Sequence, residues 1–473
     1  MPILDLTELL VKGIRKEDRP NKAVPSLGTL RGAFVRPEGL SSTDDLVDVV
    51  SIIQGTNPSF RREFLYNSIF IGGDTRLITE SDRIYYLSSS LEITQADFWD
   101  ANSPLDGVDP TGLGAWYFTE YGTNWILSNS SCEAFKASLT DLPATMIQSA
   151  AVVNAHCYHK GRVLFGGFRS SDIQDLFPGK DERTVAWSSI GGGDVYAYLM
   201  SGTISDYLRD VFLRRGEAGY LSLPSEGTVF RLLPMGESVI CYTSQGIFQL
   251  RFLGDRGYGF SKISEASLYS RDAVTGDDRA HWFVDSAGWL WRIASDGIER
   301  LGYRELFLPP VLAAWDVKLS FDPERMDVFI STKLDDDYWN SYVLTAQGLS
   351  ELSRLVGSVT RNFDGLLGTC GLVDATRGFV LETDSFDMRS SEIKTVEAVR
   401  CGITSTGAIT ATLYSRTDSG SGWKDTSELV DRTGVSILVA SGKEFKIRLE
   451  SPGAVTLDHL SVSFRLGGRT YVR

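Results

Sequence analysis

A turn flanked by two runs of bulky, β-forming residues recurs along most of this chain of 473 residues. Such turns, rich in Gly and Asp, are typical of β-hairpins. Seven lie at Ser81-Asp82, Gly122, Lys160-Gly161, Gln245-Gly246, Ala287-Gly288, Asp335-Asp336-Asp337 and Arg377-Gly378. Apart from one gap of 85 residues, which is about two periods, neighbouring turns are 39 to 48 residues apart. This repeat predicts an all-β chain containing a divergent β-propeller of about seven blades, with six and eight also open.

The pattern predicts three regions along the chain. Residues 1–58 have little periodicity beyond one short amphipathic stretch, residues 3–11, which could form a helix, so we expect an extended N-terminal arm. Residues 59–387 form the propeller, with an insertion near 190–218 that we expect between two blades. Within residues 388–473, the stretches 409–413, 445–450 and 460–466 alternate apolar and polar side chains strictly and are separated by polar loops, which predicts a C-terminal β-sandwich-like domain with its own core.

Charge and composition exclude several classes of protein. The net charge is -14, and phosphate binding needs clustered basic residues, so tight wrapping of nucleic acid is not expected. Residues 1–40 are mildly basic, with seven basic and five acidic residues, whereas the rest is strongly acidic. No run of eighteen apolar residues occurs, so no membrane insertion is expected, and the first residues do not read as a secretory signal. Five scattered cysteines predict reduced thiols in a protein made in the cytosol.

Metal and phosphate sites find little support in the sequence. The His156-Cys157-Tyr158-His159 segment holds ligand types, but His156 and His159 point to opposite faces of a strand. The Gly191-Gly192-Gly193-Asp194 segment lacks the Lys-Ser/Thr pair of a phosphate loop, so we interpret it as a loop of the insertion. The Asp335-Asp336-Asp337 segment lacks the alternation of a calcium loop and reads as a solvated turn.

Catalytic carboxylates are equally weakly indicated. Propeller glycosidases use paired carboxylates, and Asp285, Asp296 and Asp327 would be candidates. Among 61 acidic residues such candidates are easily found, and the turn repeated in sialidase propellers is absent. The sequence Ser295-Asp296-Gly297 fits a hairpin turn.

Aromatic residues and nucleophile motifs give no indication of an enzyme either. Trp282, Trp289 and Trp291 are expected to pack between blades rather than to bind sugar. No GxSxG nucleophile motif occurs in the sequence. We therefore expect a chain that is not an enzyme, with no catalytic, cofactor-binding or metal-ligating residues.

Several stretches resemble the packaged-DNA stabilisation proteins, also called tail hub or nozzle proteins, of short-tailed bacteriophages. The similar stretches are Met1-Pro2-Ile3, residues 31–40, residues 162–167 followed by 185–188, residues 237–250, residues 319–322 before 328–330, and residues 445–466. The resemblance covers most of the chain. Members of that family begin with an arm, continue as a β-propeller and end with a β-domain.

The resemblance implies a structural virion protein, made in the host cytoplasm and located in the tail. Such proteins form homo-oligomeric rings, commonly hexamers, around the DNA exit channel. They contact the portal and adaptor proteins, carry tail spikes, fibres or a plug, and retain the packaged genome. The acidic body fits a channel through which viral double-stranded DNA passes without sticking. Two alternatives are a propeller glycosidase or sugar-binding tail protein acting on host envelope polysaccharide, and a cellular interaction scaffold.

Overall fold

The computed structural model describes residues 3–14, 26–42, 46–58, 69–72, 75–80, 84–87, 92–95, 116–122, 124–129, 134–138, 152–168, 181–188, 190, 218–224, 227–307, 316–333, 339–362, 365–370, 378–388 and 390–466. The chain divides into two compact units. The propeller unit comprises Asp48–Pro323 and Gly357–Cys370, and the sandwich unit comprises Met1–Val47, Glu324–Val356 and Gly371–Arg473. These units differ from the three predicted regions because both ends of the chain belong to one of them.

The propeller unit is a series of small antiparallel sheets, each formed by strands consecutive in sequence. Five of these sheets are called blades 1 to 5 here. Blade 1 contains Ile69–Gly72, Thr75–Thr79, Ile84–Leu87 and Ile93–Gln95, and blade 2 contains Tyr117–Tyr121, Asn124–Ser128 and Phe135–Ser138. Blade 3 contains Val153–His159, Arg162–Phe168, Thr184–Trp187 and Gly219–Ser222. Blade 4 contains Val229–Met235, Ser238–Thr243, Gly246–Phe252 and Tyr258–Ser264, and blade 5 contains Val274–Gly276, Ala280–Val284, Leu290–Ala294 and Gly297–Gly302.

The unit continues with the strand Asp316–Asp322 and with the neighbouring strands Val356–Asn362 and Gly365–Cys370. Its helices are short: the α-helices Val49–Thr56 and Arg304–Phe307, and the 3-10 helices Asp181–Arg183 and Gly254–Arg256. Each of the five blades begins with one strand, and two further strands, Asp316–Asp322 and Val356–Asn362, follow blade 5 in the chain. Among the described residues these make seven strands. We call them first strands: Ile69–Gly72, Tyr117–Tyr121, Val153–His159, Val229–Met235, Val274–Gly276, Asp316–Asp322 and Val356–Asn362.

Successive sheets of the propeller unit contact one another through specific polar pairs. The Thr119 hydroxyl lies 2.7 Å from Nδ1 of His156, joining blades 2 and 3. The side-chain amide of Asn154 donates to the carbonyl oxygen of Val229 at 3.1 Å, joining blades 3 and 4. Arg361 Nε lies 2.9 and 3.0 Å from the two carboxylate oxygens of Asp322, joining the last two first strands. Sheets of consecutive strands, packed in chain order, confirm the predicted β-propeller.

Apolar packing between blades 3 and 4 is the clearest part of the propeller core. Blade 3 contributes Leu164, Val185 and Trp187, and blade 4 contributes Leu232 and Phe248, all fully or almost fully buried. Burying aliphatic and aromatic side chains at this density stabilises each by about 1.5–3 kcal/mol relative to exposure. The blades are therefore stabilised by their mutual contacts.

The sandwich unit contains two layers of mostly antiparallel strands; the pair Leu27–Arg31 and Leu349–Glu351 is parallel. In the first layer the strand order is Ala33–Arg36, Gly39–Ser42, Val455–Leu466, Lys394–Ser405 and Val435–Ser436, with Ile3–Asp5 beside Val455–Leu466 and Ala440–Gly442 beside Lys394–Ser405. In the second layer this unit contributes, in order, Asp327–Lys333, Trp339–Leu344, Leu349–Glu351, Leu27–Arg31, Phe379–Thr383, Glu444–Ser451, Thr410–Arg416 and Lys424–Leu429. The strand Leu46–Asp48 follows the first layer in the chain.

The predicted C-terminal β-sandwich-like domain is confirmed by its strands and burial. Phe445, Ile447 and Leu449 are fully buried, whereas the residues between them are partly exposed. This alternation is what period-two patterning requires when one face of a strand packs on a core. The domain contains more of the chain than residues 388–473, however, because N-terminal strands complete both layers.

The strands Ile3–Asp5 and Leu27–Arg31 of the predicted N-terminal arm pair with strands of the sandwich unit. Ile3, Leu4 and Asp5 pair with Ser463, Val462 and Ser461, and the short helix Thr7–Leu10 follows them, so residues 3–11 are not one helix. The strand Leu27–Arg31 pairs with Phe379–Thr383. This pairing gives the strand backbone its hydrogen-bond partners within the same chain. Leu27 and Leu30 of the strand are buried.

Two further predictions are wrong: the position of the insertion between two blades, and the assignment of the strand after the Arg377-Gly378 turn to the propeller. The flanks of the insertion pair with each other, Thr184–Trp187 with Gly219–Ser222, so the insertion lies within blade 3 and not between two blades. Residues 191–217 themselves lie outside the described residues. The strand Phe379–Thr383 after the Arg377-Gly378 turn pairs with Leu27–Arg31 and Glu444–Ser451, and therefore belongs to the sandwich unit rather than to a last blade.

Candidate functional site

A cavity of about 650 Å³ opens where the first strands of the propeller unit converge. Six of the seven first strands among the described residues contribute to its wall. Representative wall residues, one from each strand, are Ile69, Tyr117, Arg231, Val274, Lys318 and Ser358. The space around which propeller blades are arranged is a common ligand-binding position, because every blade can present side chains to it.

Tyr117 is the central aromatic residue of this cavity. Its hydroxyl donates a hydrogen bond to Oδ1 of Asp272. The guanidinium carbons of Arg231 and Arg271 lie 3.9 and 3.7 Å from the centre of its ring. Burial raises the pKa of Tyr117 well above its ordinary value, so the hydroxyl stays protonated and remains a donor. One tyrosine therefore holds two arginines by cation–π contacts and one carboxylate by a hydrogen bond.

Arg231 comes from a strand whose alternation brings every second residue to the cavity. Arg231 and Leu233 both line it, and the register of this strand shifts between Val229 and Arg231. Burial lowers the pKa of Arg231 from its ordinary value, and the nearby Arg271 lowers it further. Nε of Arg231 is buried and has no hydrogen-bond partner among the described residues. Arginine nevertheless stays charged in proteins, so this position is a buried cation.

Lys318 and Ser320 reach the cavity from the strand Asp316–Asp322, where residues two apart share a face. Lys318 is only 6% exposed, and burial lowers its pKa to about 8 against the attraction of Asp272 and Asp316. It is therefore mostly charged at pH 7. The hydroxyl oxygen of Ser320 is buried without a hydrogen-bond partner among the described residues.

Acidic side chains at the cavity are distributed unevenly. Asp272 contacts Tyr117 within it, whereas Glu120 is exposed. Asp277 also lies on the wall, but its carboxylate accepts a hydrogen bond from Nε of Arg279 at 2.8 Å. The cavity thus holds three basic side chains, Arg231, Arg271 and Lys318, together with the carboxylate of Asp272, and Asp316 also attracts Lys318.

Three buried groups behind the cavity are held in their neutral forms. The pKa of His156 falls to about 3, because burial disfavours the charged ring and Arg231 and Arg271 repel it. Burial raises the pKa of Cys157 to about 12 and that of Cys241 still further. The four described cysteines, Cys157, Cys241, Cys370 and Cys401, are all buried, and none of them forms a disulfide bond. Burial raises the pKa of Cys157, Cys241 and Cys401, whereas a reactive cysteine has a lowered pKa.

The histidines considered as metal ligands are separated by the strand that carries them. His156 contacts Thr119 of blade 2, whereas Nδ1 of His159 lies 2.8 Å from the hydroxyl of Tyr258 in blade 4. Within the described part of the chain, no three His, Cys, Asp or Glu side chains come together as a metal site. The segments 191–194 and 335–337 fall outside the described residues.

The carboxylates considered for glycoside hydrolysis are engaged in local structure. Asp285 accepts hydrogen bonds from the backbone of Ala287 and Trp289 at 2.9 Å each, and from Nε1 of Trp291 at 2.7 Å. Asp296 forms an exposed ion pair with Arg292. Asp327 belongs to the sandwich unit.

The tryptophans also have packing partners. Trp282 is paired with Arg292, whereas Trp291 is paired with Phe283, so Trp282 and Trp291 lie on opposite faces of blade 5. Trp282 packs against Phe321 of the next first strand, with 5.2 Å between ring centres. The guanidinium of Arg300 lies 4.5 Å from the centre of the Trp289 ring.

The basic cavity was not predicted from the sequence, although a weak signal exists. Arg231, Arg271 and Lys318 follow one another at intervals of 40 and 47 residues, which is the blade period. Residues at blade spacing near the start of successive blades come to the same central space. The helices of the described chain include none long and apolar enough to cross a bilayer.

Comparisons with known proteins give no family. No protein-family model matches the chain, and no curated protein matches it. Similar solved structures include the WD40 domain of Neurospora crassa Pan2, with a TM-score of 0.35 and 10% identity over 70% of this chain and 90% of that one. A structure of YCF48 bound to D1 peptide has a TM-score of 0.35 and 7% identity, covering 61% of this chain and 81% of that one.

A chain of a mitotic checkpoint complex has a TM-score of 0.38 and 10% identity, covering 78% of this chain and 95% of that one. Similarities at this level carry no argument about function. The assignment of the propeller therefore rests on the strand order, the pairing and the convergence of the first strands.

Proposed function

We propose that this chain is a structural subunit of a short-tailed phage tail, in the nozzle or hub position. In this role it forms a ring around the DNA exit channel, retains the packaged genome and attaches further tail parts. The observation that carries the proposal is the architecture: a propeller unit combined with a β-sandwich unit. That combination is the layout implied by the sequence resemblance to the tail hub family.

The strand pairing of the sandwich unit supports a mechanical role, because segments far apart in the chain are hydrogen-bonded to one another in it. Its two longest strands, Lys394–Ser405 and Val455–Leu466, pair with each other along their length. The N-terminal strand Ile3–Asp5 adds to the same layer. Forces applied along paired strands must break many backbone hydrogen bonds together, which resists local unfolding.

An exposed apolar surface on the sandwich unit supports self-association. We define the edge patch as Leu429, Ile437 and Val439, whose exposed fractions are 62%, 72% and 62%. The Ser436 hydroxyl donates to the carbonyl oxygen of Glu428 at 3.4 Å, so the two segments that carry the patch lie side by side. Adjacent exposed aliphatic side chains are typical of subunit contacts, and a head-to-tail contact repeated by rotation closes a ring.

The charge of the chain supports passage of DNA without adhesion. Its net charge is -14, and phosphates are attracted only where basic residues cluster on an accessible surface. The basic cluster of the propeller unit is largely withdrawn into a cavity, and Lys318 is buried. A ring of such chains is expected to repel DNA on average.

Immunogold labelling of intact phage particles tests the proposal. Antibodies raised against the purified chain should label the tail of particles produced in cells that express its gene. Particles assembled without the chain should fill with DNA and then lose it. Labelling of no particle, together with normal genome retention in its absence, would refute the proposal.

A further inference from the structure

We propose that the cavity of the propeller unit is a binding site for a small organic anion that carries a carboxylate or phosphate group. The residues that bind the anion are Arg231, Arg271 and Lys318, and the hydroxyl of Ser320 is a neutral hydrogen-bond donor. The site does not depend on the role in a phage tail, since it belongs to the propeller unit alone.

The charges of the cavity provide the first argument. Three basic groups line the same cavity, and removing cations from water is costly unless opposite charge and hydrogen bonds compensate for it. Asp272 attracts Arg231 and Lys318, and Asp316 attracts Lys318, yet the pKa of each cation stays below its ordinary value. The lowered pKa values of Arg231 and Lys318 show that both cations are stabilised less than they would be in water. A bound anion would restore the missing stabilisation to both at once.

The available donors provide the second argument. The cation–π contact with Tyr117 holds the guanidinium group of Arg231 without using its N–H groups. Nε of Arg231 and the hydroxyl of Ser320 are both buried without hydrogen-bond partners among the described residues. Buried donors are rarely left without an acceptor, and an oxyanion supplies several acceptors in one small group.

The size of the cavity limits the ligand. A volume of about 650 Å³ falls within the range of small-molecule sites and is too small for a folded partner. The cavity holds the hydroxyl of Tyr117 and apolar wall residues such as Leu233 and Val274 beside its basic groups. A small molecule with an anionic head and a partly apolar body satisfies this lining.

The alternative is that the chain's own acidic side chains, Asp272 among them, balance the cluster and that the cavity has only a structural role. The two accounts predict opposite effects of removing the Asp272 carboxylate. If Asp272 competes with a bound anion, Asp272→Asn strengthens anion binding, because a repulsive charge is lost. If the cluster is only structural, the same change weakens the fold and creates no binding.

Isothermal titration calorimetry of the full chain tests the proposal with inorganic phosphate and, separately, with succinate, at constant ionic strength. The matched variants are Arg231→Gln within the cavity and Arg292→Gln in the exposed pair with Asp296 on blade 5. We expect saturable binding of at least one probe by the wild type and by Arg292→Gln. Arg231→Gln should bind at least about tenfold more weakly, and Asp272→Asn several-fold more tightly.

The probe that binds distinguishes phosphate-bearing from carboxylate-bearing ligands. Circular dichroism establishes that each variant is folded; if Arg231→Gln is not, Asp272→Asn and the wild type decide the outcome. Binding to the wild type should also weaken from pH 7 to pH 9, as Lys318 loses its proton. Absence of saturable binding to the wild type, equal binding by the two arginine variants, or no gain in Asp272→Asn would overturn the proposal.

Discussion

The hydroxyl of Tyr242 in blade 4 donates a hydrogen bond to Nδ1 of His281 in blade 5, and the two atoms are 2.9 Å apart. The direction follows from the other ring nitrogen, since Nε2 of His281 lies 3.0 Å from the carbonyl oxygen of Pro234, which can only accept. Burial lowers the pKa of His281 far enough that the ring is neutral at pH 7, so its single proton is on Nε2 and Nδ1 accepts. Both its contacts join blade 5 to blade 4.

This neutral state makes the propeller unit sensitive to acid. Burial lowers the pKa of His281 to about 4, from about 6.5 in an unfolded chain. A lowered pKa in the folded state gives stability that is present above pH 6.5 and is lost as the pH falls toward 4. Between pH 7 and pH 5 we expect the free energy of unfolding to fall by about 2 kcal/mol from this residue.

Urea unfolding at the two pH values, with His281→Gln beside the wild type, measures this contribution. Glutamine does not titrate, so the variant should lose less stability than the wild type over the same interval. His156, whose pKa is about 3, adds to the loss in both proteins. The same loss of stability in both proteins would contradict the assignment.

Two glycines in one loop differ in the space around them. Gly254 and Gly257 both have positive φ angles, 68° and 70°, and Gly257 combines this with a ψ angle of -129°. A methyl group on Gly257 would overlap Cζ2 of Trp187, whereas one on Gly254 would meet no atom within 4 Å. We expect Gly254→Ala to cost about 1 kcal/mol and Gly257→Ala about 1–3 kcal/mol more, measured by urea unfolding. Equal costs would show that Trp187 is not packed against this loop.

The sandwich unit contains a buried ion pair whose removal should be costly. Arg36 donates from Nη1 and Nη2 to the two oxygens of Asp327 at 2.9 and 2.6 Å, and Asp327 is buried. Asp327→Asn leaves Arg36 without its charged partner and should reduce stability by about 3 kcal/mol. Asp418→Asn, which removes the exposed pair with Lys443, should cost less than about 0.5 kcal/mol. Similar unfolding midpoints for the two variants would contradict the stabilising role of the Arg36–Asp327 pair.

If subunits of the proposed ring contact one another through the edge patch, a charge placed on the patch should prevent self-association. Ile437→Lys places a charge on its most exposed residue and should convert the oligomer into monomers without changing the fold. Leu253→Lys is the matched control, because Leu253 is 54% exposed but lies in the propeller unit. Size-exclusion chromatography with light scattering gives the mass of each. Oligomers of unchanged mass in Ile437→Lys would exclude the edge patch from the interface.

Features encoded locally in the sequence were predictable. The Lys160-Gly161 hairpin is confirmed, and both residues have the positive φ angles, 49° and 79°, that a tight two-residue hairpin turn requires. The alternation in residues 445–449 likewise predicted the face that is buried. In both cases the information lies within a few consecutive residues.

Pairing between distant segments was not predictable in the same way. The strand Leu27–Arg31 is five residues long, and its partner Phe379–Thr383 lies about 350 residues later, so no local pattern identifies it. The basic cavity has the same origin, because Tyr117, Arg231 and Lys318 meet only after the blades have assembled. Single residues at blade spacing are too sparse to stand out among 47 basic residues.

Electron microscopy of the purified, assembled chain tests the central proposal most directly. A tail nozzle or hub subunit should give closed rings of uniform size, six-fold in the commonest arrangement, with a central channel wide enough for double-stranded DNA, about 20 Å. A protein that remains monomeric at all concentrations, or that assembles without an open channel, would contradict the proposed function.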